Sequence, residues 1–142
     1  ITGAGGAFGN VLRTSGIGDY LVNAMGSMNI SPIVLGFVLS ALLRVSQGST
    51  TVALVTTSSI LGSAIAASGA SPILVGLAIC AGGIGFSLPN DSGFWVISRF
   101  AGISVSDTIK SWTIGGTIAS CVVFAVVMLL SVINGVVPLP FL

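Results

Sequence analysis

The sequence predicts an all-α polytopic membrane protein containing a re-entrant helical hairpin and a discontinuous transmembrane helix. Three observations carry that expectation. The chain of 142 residues is 54% hydrophobic and only 5% charged, with a mean hydropathy of +1.14. A typical soluble domain carries about 25% charged residues, and four basic plus three acidic side chains cannot cover a soluble globule of this size. Long stretches lack charge altogether, including the 46 residues between Arg44 and Asp91. Finally, two of the apolar stretches are interrupted by short polar segments, at 44–51 and 89–93.

The same composition excludes several function classes. There is no basic cluster to follow a phosphate backbone, so nucleic acid is not an expected partner. With no His and three acids, a metal centre or an acid–base enzyme lacks its ligands and proton carriers. Cys80 and Cys121 each lie inside an apolar run and read as small packing residues. The chain opens on a glycine-rich stretch without Met or a signal-peptide pattern, and is expected to be the C-terminal piece of a longer polytopic protein.

Residues 1–31 form a glycine-rich segment followed by an interfacial connection. Gly5 and Gly9 stand in G-x-x-x-G spacing, which allows close helix approach in a membrane, although glycine also favours unwound backbone. Leu21, Val22, Met25 and Met28 recur at helical spacing among polar residues, as in an amphipathic surface helix. Arg13 and Asp19 are expected to be solvated.

Residues 32–67 carry the hairpin. Ser31-Pro32 is a good helix start. The apolar legs Pro32–Leu43 and Val52–Ala67 flank the polar sequence Arg44-Val45-Ser46-Gln47-Gly48-Ser49-Thr50-Thr51. A straight helix over all 36 residues would be roughly 54 Å long, against a hydrocarbon thickness of about 30 Å. The segment must turn back, and legs of 12 and 16 residues are short for full spans. Such a tip must be buried in protein or line a watery cavity, because lipid cannot satisfy its backbone.

Residues 72–100 begin at a second Ser-Pro start, Ser71-Pro72, and run apolar to Leu88. Pro89-Asn90-Asp91-Ser92-Gly93 then intervenes before Phe94-Trp95-Val96. This segment is either a surface turn between helices or the break of a single discontinuous crossing. Ser106-Asp107 is expected to cap the last helix, whose transmembrane span is placed at 112–136, with Trp112 at the membrane interface. Arg99 and Lys110 flank one short loop, which the positive-inside rule places in the cytoplasm.

Four stretches look like one known family: Ile1–Leu12, Arg44–Ala53, Leu88–Trp95 and Ser104–Thr113. They resemble the gluconate permease family of proton symporters, and the likeness covers nearly the whole chain, as the last third of such a permease. The resemblance implies an inverted-repeat bundle, with this chain as its C-terminal part. It implies uptake of gluconate or a related sugar acid, together with protons, across the bacterial inner membrane. Some members instead resemble D-serine carriers. The implied partners are the organic anion, the proton, the bilayer, the N-terminal part of the same transporter and a second copy in a homodimer. No cofactor is implied. A structural or pore-forming subunit is the competing reading.

On this reading the two interruptions form one substrate site. Arg44 is a candidate to hold the carboxylate, or alternatively to snorkel or bond carbonyls at the tip. Ser46, Gln47, Ser49 and Thr50, with Asn90 and Ser92, offer donors and acceptors to a polyhydroxy acid. Gly48 and Gly93 allow close backbone approach. Asp91, an acid inside an apolar region, either couples the proton, burial favouring its neutral form, or caps the following helix at a solvated turn.

Overall fold

The computed structural model describes residues 30–136 and the isolated positions 7, 11, 14–16 and 20. The expected glycine-rich packing segment and interfacial connection lie largely outside the described residues. Among those described, the chain is helical: α1 (Pro32–Gln47), α2 (Thr50–Ser68), α3 (Pro72–Ile84), α4 (Ser92–Ala101), α5 (Val105–Thr108), a π turn (Ile109–Thr113) and α6 (Ile114–Val136).

Local sequence sets each boundary. Ser31 and Ser71 cap α1 and α3, their hydroxyls accepting from the N–H groups of Ile33 and Leu74, and a proline follows each cap. Both expected Ser-Pro starts are therefore present. Between the hairpin legs the interruption shrinks to two residues. Arg44–Gln47 continue α1, and Gly48 ends it at φ 66°, its N–H donating to the Arg44 carbonyl. Ser49 then caps α2 by accepting from Val52 N–H at 3.4 Å. The legs are thus 16 and 19 residues rather than 12 and 16, because polar residues beside a good cap are as helical as apolar ones.

Helices α1, α2 and α3 pack against one another. Their core is Ile33, Ile60, Leu61, Leu74, Val75, Ala78 and Ile79, completed by Val127 of α6. Contact between α1 and α3 is close because of glycine: a Cβ on Gly82 would fall 2.3 Å from the Phe37 carbonyl oxygen. Phe37 also stacks on Phe124 of α6, with centroids 4.0 Å apart.

The break between α3 and α4 spans residues 85–91. It begins four residues before the expected 89–93, and Ser92 and Gly93 already belong to the first turn of α4. The glycines at 82, 83 and 85 weaken the end of α3, and Phe86 takes a left-handed φ of 56°. Pro89 and Asn90 are exposed, but Ser87 and Asp91 are buried, so a plain surface turn does not describe it.

The last helix starts earlier than expected. Its cap is Ser104, not Ser106-Asp107: the Ser104 hydroxyl accepts from Asp107 N–H at 3.1 Å and donates to Asp107 Oδ2 at 2.6 Å. Asp107, three residues on, thus meets the Ser104 hydroxyl with both its N–H and its carboxylate. Val105–Gly135, 31 residues, is long and apolar enough to cross a membrane. Its length of roughly 46 Å exceeds a hydrocarbon core. Ile118, Val122, Val126 and Leu129 are exposed along it. Cys80 and Cys121 are free thiols at exposed positions of α3 and α6.

Candidate functional site

The hairpin turn and the break between α3 and α4 meet. The C-terminal carbonyls of α1 have no partner within their own helix. Asn90, in the break, supplies one: its Nδ2 donates to Val45 O at 2.8 Å and more weakly to Ser46 O at 3.5 Å. Gly48 makes the approach possible, since a Cβ there would lie 2.3 Å from the Asn90 carbonyl oxygen. Trp95 steadies the other side, its indole N–H donating to Pro89 O at 2.7 Å.

Beneath this contact lies a buried ion pair. Arg44 Nη2 donates to Asp91 Oδ2 at 2.5 Å. The same carboxylate oxygen accepts from the Ser87 hydroxyl at 2.5 Å, and Oδ1 accepts from Gly93 N–H at 2.9 Å. Asp91 is therefore the N-cap of α4, one of its two expected roles, but at a buried position instead of a solvated turn. Arg44 does not spend Nη2 on tip carbonyls. Its Nε and Nη1 are buried without a hydrogen-bond partner among the described residues, as are the hydroxyls of Ser40, Thr56 and Thr57.

The structure brings Arg44, Gly48, Asn90 and Asp91 together, and places the other expected residues around them less directly. Ser46 is exposed and donates to Leu43 O within its own turn, at 3.1 Å. Gln47 and Thr50 are half-buried at the two ends of the turn, Ser49 is occupied as a cap, and Ser92 is exposed. Gly93 contributes its N–H to Asp91.

Sequence reasoning missed the contribution of the last helix. Thr113 Oγ1 donates to the Ser87 carbonyl, and Trp112 Nε1 donates to Ser87 Oγ at 3.1 Å. Thr117 Oγ1 accepts from Phe86 N–H at 3.3 Å, and Ser120 Oγ donates to Ala81 O at 2.7 Å. Trp112, expected as an interface anchor, is 45% exposed and turns its indole N–H toward Ser87. A signal was present: Thr113, Thr117 and Ser120 recur at spacings of four and three, one polar face on an otherwise apolar helix.

Residues 1–133 match the family model described as GntP family permease. The chain is 46% identical over 121 residues to the inner membrane permease YgbN of Escherichia coli K12, which covers 83% of this chain and 26% of that protein. It is 41% identical over 120 residues to the E. coli high-affinity gluconate transporter, covering 84% and 27%. To a gluconate permease of Bacillus subtilis it is 38% identical over 133 residues, covering 94% and 30%. The chain therefore spans between a quarter and a third of the length of these relatives. No solved structure matches it significantly.

Proposed function

Because the chain belongs to the GntP family of permeases, we propose that it is part of a secondary active transporter for gluconate or a related sugar acid, driven by proton symport across the bacterial inner membrane. The observation that carries this reading is the buried Arg44–Asp91 pair at the meeting of hairpin tip and helix break. Carriers with discontinuous helices bind substrate where such interruptions meet, near the membrane midplane. In this reading α1 and α2 enter and leave on one face, with Gly48 and Ser49 at depth. A gluconate transporter and a gluconate permease among the relatives support the substrate class.

The chemistry follows from charge. Arg44 Nε and Nη1 are free of hydrogen bonds to the described residues, which leaves guanidinium N–H donors for a substrate carboxylate in a planar arrangement that a lysine does not reproduce. Gln47, Ser49, Thr50, Asn90 and Ser92 then face the substrate's hydroxyls, with Ser46 at the rim. Once a substrate carboxylate joins the site, one guanidinium faces two anions in a place shut off from water. An uncompensated buried charge is costly, so a proton on Asp91 accompanies the substrate. Release of the substrate returns Asp91 to Arg44 and frees the proton.

The test uses the full-length carrier in membrane vesicles with labelled gluconate. Arg44→Lys removes one charge-assisted hydrogen bond, and is expected to raise the apparent KM by about 10- to 100-fold. An unchanged KM rules out carboxylate recognition by Arg44.

A further inference from the structure

The break is held in its shape from the last helix. Phe86 sits at φ 56°, a left-handed conformation that non-glycine residues keep only when their surroundings enforce it. The enforcing bonds come from α6 and its π turn, through Thr117 to Phe86 N–H and through Thr113 to the Ser87 carbonyl. Single π turns within α-helices often mark functional sites, and this one carries Trp112 and Thr113.

The donor and acceptor inventory fixes the direction of the network. An indole N–H can only donate, and a serine hydroxyl has one proton to give. Ser87 Oγ must therefore accept from Trp112, and its own proton is directed at Asp91 Oδ2. We infer that Trp112 and Ser87 are positioning residues: the π turn of the last helix holds a hydroxyl proton on Asp91 and so favours its ionised, Arg44-bound state. This rests on the proposed coupling role of Asp91. Arg44 of α1 is the charged side chain in contact with Asp91, while Arg99, Asp107 and Lys110 are exposed.

Protonated Asp91 needs an acceptor, not another donor. Ser87, already oriented by Trp112, opposes that state, and removing its hydroxyl makes proton uptake easier. The full-length carrier tests this through the pH profile of proton-driven gluconate accumulation, with substrate counterflow measured alongside. Ser87→Ala is expected to shift the profile to higher pH by roughly half to one unit, with counterflow retained. Ser87→Thr keeps the hydroxyl and restores the original profile, and Trp112→Phe shifts it in the same direction by less. If Ser87→Ala loses counterflow through misfolding, Trp112→Phe decides alone. A wild-type profile in the variant that retains counterflow overturns the positioning role and leaves the carrier reading intact. Absence of gluconate transport by the wild-type carrier, or pH-dependent accumulation in Asp91→Asn, removes the underlying reading instead.

Discussion

Arg44 and Asp91 stand 47 positions apart and meet at 2.5 Å, their side chains 6% and 8% exposed. One ends a hairpin leg and the other begins the helix after the break, so a single ion pair locks two interruptions of the fold together. Buried pairs of this kind add little net stability compared with apolar residues of equal volume, but losing one partner leaves an unpaired charge.

That asymmetry predicts a non-additive pair of substitutions. Arg44→Met or Asp91→Leu alone should destabilise the full-length carrier by about 3–5 kcal/mol. The double variant should recover most of the loss, as the thermal unfolding midpoint of the purified protein in detergent would report. Additive losses would mean that the two side chains act independently.

Gly48 and Gly69 offer a second comparison, because both hold a left-handed φ, 66° and 67°. An added Cβ on Gly69 meets open space, whereas on Gly48 it strikes the Asn90 backbone. Gly69→Ala should cost about 1–2 kcal/mol from backbone conformation alone. Gly48→Ala should cost clearly more and should also lower gluconate uptake. Equal effects of the two substitutions on unfolding would show that the tip does not bear on the break.

Much of this arrangement was legible in the sequence, and the remainder was hidden for identifiable reasons. The two serine-proline starts gave two helix boundaries, because caps are local chemistry. The residues of the ion pair, Arg44 and Asp91, stood out as charges beside long apolar runs. Their meeting was not encoded locally, since it depends on the close packing of α1 against α3 through Gly82 and on the turn at Gly48. The break was placed late because Pro89-Asn90-Asp91 is a strong turn signal, whereas Gly85 and Phe86 depart from the helix under tertiary hydrogen bonds from Thr117. Trp112 was assigned to the membrane interface from its position at the start of an apolar run. Its neighbours Thr113, Thr117 and Ser120 carried the overlooked period.

The hairpin reading makes a prediction about sidedness. Legs of 16 and 19 residues joined by two residues should enter and leave on the same face. With Cys80 and Cys121 replaced, single cysteines at positions 29 and 68 should react with a membrane-impermeant thiol reagent from one side only, and from the same side. Labelling from opposite sides would establish a full crossing between them.

The proposed coupling step is tested most directly by separating accumulation from exchange in Asp91→Asn. Asparagine keeps the shape of the side chain and can still accept from Gly93 N–H, but it can neither take up nor release a proton. Vesicles containing the full-length variant should fail to concentrate labelled gluconate under an imposed pH gradient, while still exchanging internal for external gluconate. Accumulation in Asp91→Asn that still follows the pH gradient would contradict the account, and would move proton coupling to another residue.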